Sequence, residues 1–457
     1  MQKRITKILG LFLGILLLIG LFSVYSNYAN LGLNKNSLSN FSCGTLTNVR
    51  ARSASFNNLA KLTKPLLFFD KNLQNKLSLL SDANILVPQL KYFLGCDQER
   101  TFLVLLQDNA ELRPSGGFWG SYGVLKVKSG KITSFVTANS FDLDIENQGK
   151  FEAPSSTEGI FEEQWRFWNS NWWPDFKISA DQGLFFMNKV RPDDKFDAVI
   201  GANVDYLLEL LKISGDVKVP DYAFSVNSQN FVQKMIYEPS NPAIFKEKGQ
   251  DPQYLNPADK KPLLAELAKN IIEQIISMHK ETDFGMVTYR ALNDQNMVIY
   301  SFDPNRQAFL SRYLWTGQIA TDKNIALVTD ANVGSKLDFF VDKNAKTKKV
   351  GPGEYEMTLE YQNSYSATSK TLPYSIYRNY LRIFLPKDSS LVSYTGGESN
   401  AQLIEDEKMN LSAVKVLLVV SPGQTKTFKF RWRVPKQYET QGLEVLKQSG
   451  SRLLINR

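Results

Sequence analysis

The chain has 457 residues, 43% of them hydrophobic and 22% charged, which describes a folded protein long enough for two or three domains beyond an anchor. Its net charge of +8 comes partly from the first residues and partly from a lysine run, Lys343, Lys346, Lys348 and Lys349, that reads as a solvated face. No basic stripe is interleaved with stacking aromatics, so nucleic acid is excluded as a partner. One histidine, His279 near the end of an amphipathic helix, and two cysteines exclude the common Cys/His zinc sites and argue against Ser-His-Asp and Cys-His hydrolases.

Lys3, Arg4 and Lys7 precede an apolar run from Ile8 to Val24, roughly 17 residues, the lower limit for crossing a bilayer. Basic residues stay on the cytoplasmic side, so residues 1–40 read as a cytoplasmic tip, a transmembrane helix and a linker, with the body outside the cell membrane. A cleaved signal peptide is the alternative, although Asn27 stands where a small residue would precede a cleavage site at Ala29. Cys43 and Cys96 then lie on the outer side, where a disulfide and two free buried thiols are both open readings.

Residues 41–99 read as a helical segment: Leu59, Leu62, Leu66, Phe69, Leu73, Leu77 and Leu80 recur at steps of three and four, and Ser81-Asp82 opens a second short helix toward Phe93. From Arg100 the period becomes that of strands. Phe102 to Gln107 is a buried strand, and Val124 to Val127 with Lys131 to Val136 form a hairpin turned at Ser129-Gly130. Strands at Asp197 to Gly201, Val217 to Val219 and Met297 to Phe302 alternate with helices at Val204 to Leu211, from Pro262 onward, and at Arg306 to Trp315. Residues 100–330 are therefore expected to form an α/β domain, a mixed sheet flanked by helices. Beyond Asp330, Tyr355, Met357, Leu359 and Tyr361, and again Phe428, Phe430, Trp432 and Val434, alternate with polar residues. With Leu381 to Leu385 and Val414 to Val420 they predict an all-β, immunoglobulin-like sandwich over 331–457.

Three places carry candidate chemistry. The loop between the first two strands holds Asn109, Glu111, Arg113, Ser115, Gly116 and Gly117; Arg113 could clamp a phosphate or carboxylate while the glycines let backbone amides join it. The other reading is that Arg113 and Glu111 pair within the fold to fix a tight turn. Asp142, Asp144 and Glu146 would share one face of a strand and could hold magnesium or calcium, or simply be a solvated face. Trp165, Phe167, Trp168, Trp172 and Trp173, with Asp175 among polar neighbours, suit either a sugar or lipid surface or a tryptophan-rich core layer.

Phe102 through Phe118, Asn171-Trp172-Trp173-Pro174-Asp175-Phe176 and Phe196 to Ile200 resemble an uncharacterised bacterial family of membrane-anchored proteins, a domain of unknown function marked by Asn-x-Glu-Leu-Arg-Pro-(Ser or Thr)-Gly-Gly-Phe. The resemblance extends to Tyr377 through Arg382 and to Pro422-Gly423-Gln424. More remotely, the order of parts is similar to the LytR-CpsA-Psr envelope phosphotransferases, which hold a polyprenyl pyrophosphate with arginines and acidic residues. That likeness would give Arg113 a pyrophosphate role and place Asp205 at a strand-to-helix junction; their Arg-x-Asp-Thr reads here Arg113-Pro114-Ser115-Gly116, and their second arginine motif has no counterpart.

The expectation is a bacterial single-pass, extracytoplasmic protein that binds a polyprenyl-linked or glycan ligand of the cell envelope. Its site would comprise Asn109, Glu111, Arg113, Ser115, Gly116, Gly117, Trp172 and Asp175. The alternative is a non-catalytic assembly, adhesion or scaffold protein that uses the sandwich. No complete catalytic signature occurs, so the reading leans away from an enzyme; a catalytic version would be a phosphotransferase on lipid-linked glycan. No cofactor is expected beyond the magnesium or calcium named above.

Overall fold

The computed structural model describes Cys43 and residues 87–456, apart from 148–150, 158–159, 161–163, 249–250, 256–259, 279, 333, 367, 370 and 398. The apolar run from Ile8 to Val24, the stripe from Leu59 to Leu80, and His279 lie outside the described residues. Among the described residues, no helix is long and apolar enough to cross a membrane. Cys43 and Cys96 are joined in a disulfide across a sequence separation of 53, beside a short helix over 87–93.

The first lobe is built on a mixed five-stranded sheet in the order β3-β2-β1-β4-β7, formed by β1 (Arg100–Asp108), β2 (Phe118–Lys128), β3 (Lys131–Asn139), β4 (Ala198–Asn203) and β7 (Met297–Ser301). A minor hairpin, β5 (Val217–Lys218) with β6 (Ser225–Val226), lies between β4 and β7 in sequence. β1 and β4 run parallel at the centre, which is why both read as near-continuous apolar segments: each is covered on two faces. The sheet is accompanied by α1 (Ser140–Asn147), α2 (Phe176–Val190), α3 (Val204–Ser214), α4 (Lys260–Ser277), α5 (Glu281–Asn293) and α6 (Pro304–Arg312). Local chemistry sets several of their ends. Asn203 caps α3 by accepting from the Tyr206 N–H at 3.1 Å, Gly215 at φ 74° ends it, and Asp303 caps α6 ahead of Pro304.

One expected element changes type. Phe141 to Glu146, read as an alternating strand, lies in α1. Asn139 Oδ1 accepts from the Phe141 N–H at 3.1 Å and the Ser140 hydroxyl donates to the Trp119 carbonyl, turning the chain away from β3. Asp142 then sits in the first helical turn, where the dipole favours a carboxylate.

The second lobe is a β-sandwich. One sheet has the order β12-β15-β10-β9-β17, with β9 (Val341–Gly351), β10 (Glu354–Asn363), β12 (Ser390–Thr395), β15 (Thr425–Arg433) and β17 (Leu454–Asn456). The other has the order β13-β14-β11-β8-β16, with β8 (Ile325–Asn332), β11 (Tyr377–Pro386), β13 (Gln402–Asp406), β14 (Leu411–Val420) and β16 (Glu444–Lys447). The alternating residues of β10 and β15 meet in the core: Met357, Leu359, Tyr361, Phe428, Phe430 and Trp432 are all buried. β8 begins before residue 331 and pairs with β11, so the sandwich takes most of its first strand from the segment assigned to the α/β domain.

Candidate functional site

The glycine-bearing loop, 109–117, does not open to solvent; it lies between the lobes. Asn109, 1% exposed, donates through Nδ2 to Asp205 Oδ2 at 2.8 Å and to the Gly450 carbonyl at 3.1 Å, while its Oδ1 accepts from the Val204 N–H at 3.1 Å. One side chain thus ties the loop after β1, the start of α3 and the turn between β16 and β17. The backbone continues the tie: Leu112 N–H donates to Asp338 Oδ2 at 3.0 Å, and the Leu112 and Ala110 carbonyls accept from the N–H groups of Asn332 and Asp338.

Arg113 is buried and pairs with Glu111 Oε1 at 2.9 Å, reaches Asn169 Oδ1 at 3.4 Å, and offers its carbonyl to Gln448 Nε2 at 2.9 Å. Lys336 of the sandwich lobe reaches back to Asp108 at 2.5 Å and Glu111 at 3.6 Å. Those two carboxylates outweigh the downward push of burial and hold the Lys336 ammonium above its ordinary pKa. The Ser115 carbonyl accepts from Gln107 Nε2 at 2.9 Å.

Gly116 and Gly117 have φ of 133° and 144°, and a Cβ on Gly117 would stand 2.7 Å from the Asn109 nitrogen. The glycines therefore let the loop fold back on its own strand. Asn171 Nδ2 donates to the Gly117 carbonyl at 2.6 Å, joining the loop to the tryptophan segment.

That segment is also interlobe packing. Trp172 is fully buried beneath the Arg382 guanidinium of β11, 3.7 Å from the ring centroid, and Arg382 Nη2 donates to the Trp172 carbonyl. Burial pushes Arg382 down to about 9, against the opposing pull of Asp406. Trp173 donates to Asp406 Oδ1 at 3.3 Å, while Trp165 and Phe167 are buried. Asp175 caps α2 through the Ile178 N–H at 3.1 Å and accepts from Ile319 N–H at 2.9 Å; burial still pushes its carboxyl up, the backbone donors acting against it.

The helical geometry of α1 separates the carboxylates expected to share a strand face. Asp142 is exposed, whereas Asp144, two residues on and so on another side of the helix, is buried and accepts from the Phe167 N–H at 2.9 Å. Burial raises the Asp144 pKa to about 6 despite the backbone donors of Phe167 and Trp168. Among the described residues, no group of three His, Cys, Asp or Glu side chains is placed to hold a metal ion.

A second polar cluster, inside the sandwich, was not signalled as a site. Lys343, read as part of a solvated run, is 3% exposed and points between the sheets. Its Nζ lies 2.8 Å from Asp330 Oδ2 and 2.6 Å from Asp338 Oδ1. Tyr361 donates to Asp330 Oδ1 at 2.8 Å, Tyr377 donates to Asp338 Oδ1 at 3.0 Å, and Asn379 donates to Asp330 Oδ1. Burial alone would push the Lys343 ammonium down, but the two aspartates outweigh it and hold it above its usual range. The period-2 pattern carried a signal: Val341, Lys343 and Ala345 occupy the inward positions of β9.

Beside the loop, a hollow lined by Asn109, Leu112, Asp338, Phe339, Lys343, Gly450 and Arg452 has a volume of about 10 Å³, room for about one water. Arg452, one of the lining residues, pairs with Asp205.

Residues 97–239, which include both the loop and the tryptophan segment, match a family model described as a protein of unknown function (DUF4012). No curated protein matches. Among solved structures, the chain is similar to protein gbs0355 of Streptococcus agalactiae, at 12% identity and a TM-score of 0.30 over 48% of this chain and 74% of that one. It is also similar to the Lin1025 protein of Listeria innocua, at 13% identity and a TM-score of 0.24 over 48% of this chain and 80% of that one. At these scores neither carries an argument.

Proposed function

We propose that this protein is a non-catalytic scaffold of the bacterial cell envelope: a membrane-tethered, extracytoplasmic body in which the loop and tryptophan segments weld an α/β lobe to a β-sandwich, leaving the sandwich to meet a partner. The carrying observation is that the side chains first assigned to ligand binding are engaged within the fold. Asn109 binds Asp205, Gly450 and Val204; Arg113 binds Glu111; Trp172 lies under Arg382; and Asp175 caps a helix. A polyprenyl chain needs an apolar channel, and the hollow at the loop accommodates about one water. The disulfide between Cys43 and Cys96 supports an oxidising, extracytoplasmic location, and the apolar run after Lys3, Arg4 and Lys7 supplies the tether.

The test is co-sedimentation of the detergent-extracted full chain with vesicles containing or lacking polyprenyl phosphate, alongside thermal unfolding of the wild type and Arg113→Ala. The expected result is equal retention on both vesicles and a lower unfolding temperature for the variant, whose loss leaves Glu111 short of a buried partner. Saturable, polyprenyl-dependent retention that Arg113→Ala abolishes at an unchanged unfolding temperature would restore the ligand site and remove the scaffold reading.

A further inference from the structure

We propose that Lys343 and Asp330 become joined by an intramolecular amide bond that the folded sandwich forms by itself, with Asp338 as proton carrier. The inference goes beyond the scaffold reading and does not depend on it. Its basis is the arrangement of groups around one carboxyl carbon. The Lys343 nitrogen stands 2.8 Å from Asp330 Oδ2, and the opposite oxygen, Oδ1, is held by the Tyr361 hydroxyl at 2.8 Å and by Asn379 Nδ2. Two donors aimed at the oxygen on which negative charge would collect are what acyl transfer requires. On its other side the same nitrogen is 2.6 Å from Asp338 Oδ1. Asp338 is itself fixed by Tyr377 at 3.0 Å, by the Leu112 N–H at 3.0 Å and by Asn332.

An ordinary buried ion pair needs one carboxylate. Here two face one ammonium, and a surplus charge in a low-dielectric interior is costly unless it has another use. All three groups are no more than 5% exposed, and Tyr361, Tyr377 and Asn379 are fully buried, so bulk water is kept from the nitrogen and the adjoining hollow has room for about one water molecule. Opposed on neighbouring strands of two packed sheets, the reacting groups are held at a separation that gives intramolecular reactions their high effective concentration.

The step balances without an oxidant, reductant or co-reactant. Asp338 carries one proton from the Lys343 ammonium to Asp330 Oδ2, leaving a free amine against a neutral acid. The nitrogen lone pair attacks the Asp330 Cγ, and the displaced electron pair rests on Oδ1 between Tyr361 and Asn379. Asp338 then carries a second ammonium proton to Oδ2, which departs as water with the C–O electrons. The third proton remains on the new amide nitrogen. The product links β8 to β9 and so fastens one sheet of the sandwich to the other.

Tryptic mapping of the reduced, denatured full chain tests this directly. Separate side chains give peptides 324–336, 337–343 and 344–346, because trypsin cuts after Lys323, Lys336, Lys343 and Lys346. The amide blocks the cut at Lys343 and is expected to yield a branched product joining 324–336 to 337–346, lighter by one water than the two together. Recovery of the three separate peptides at full mass from the wild type would overturn the proposal, with no variant needed. Asp338→Asn is expected to lose the branched product; its persistence there would overturn the assignment of Asp338.

Discussion

The junction between the lobes and the interior of the sandwich both bury ionic groups, yet they balance charge differently. At the junction, Asp108 and Glu111 face Lys336 and Arg113, and Asp205 faces Arg452, so acids and bases match one for one. Inside the sandwich, Asp330 and Asp338 share Lys343. A matched set spread over several strands serves as a fastening, since each member fixes the geometry of another segment. An unmatched set concentrated on one nitrogen is poised for proton movement. Charge stoichiometry thus separates two uses of buried polarity that an inventory of salt bridges would merge.

Breaking the unmatched set should have the largest effect. Lys343→Ala strands two carboxylates in the core and is expected to destabilise the chain by about 3–5 kcal/mol, read as a lower denaturant midpoint. A smaller effect is expected at the junction. Asn109→Ala removes three hydrogen bonds to the first helical turn of α3, to Asp205 and to Gly450, at a cost of about 1–3 kcal/mol. Because those bonds couple the lobes, calorimetry should show one unfolding transition splitting into two. Added to Asn109→Ala, Lys343→Ala should move the sandwich transition while leaving that of the α/β lobe in place.

The smallest expected effect lies away from both regions, at Asp144, and depends on pH. Its carboxyl is raised from 3.8 to about 6 by burial, so the folded state holds the proton more tightly than the unfolded chain. The stability from this site is full below the unfolded value and is lost as pH rises toward about 6. Asp144→Asn keeps an acceptor for the Phe167 N–H without the charge. Relative to wild type, the variant should therefore gain in unfolding temperature between pH 4 and pH 7 and stay level above it.

Much of the architecture was legible because it rests on periodicity. β1 and β4 announce themselves as continuous apolar runs, and β10 and β15 by strict alternation. The loop was legible as an exceptional place, but its use was not. Glycine and arginine beside a strand end describe equally a cradle for an anion and a turn folded against its own backbone, and only burial distinguishes them. Phe141 to Glu146 was misread because six alternating residues fit a strand, while the capping by Asn139 that starts a helix is a local hydrogen bond. Lys343 was hidden by its neighbours: Lys346, Lys348 and Lys349 suggest a solvated stretch, although β9 carries Lys343 inward. Its partners Asp330 and Asp338 come from segments with no distinctive pattern, so the cluster exists only once the two sheets are stacked.

The disulfide sets how mechanical force would travel through the molecule. Tension applied ahead of Cys43 is handed across the sulfur bridge to Cys96, four residues before the start of β1, the middle strand of the sheet that abuts the sandwich. The intervening stretch is bypassed and bears no pull. Reducing the bridge would replace one sulfur link by a covalent path of 53 residues between whatever holds the amino-terminal end and the body it steadies. A thiol-level change near the surface would thereby turn a short stay into a long leash.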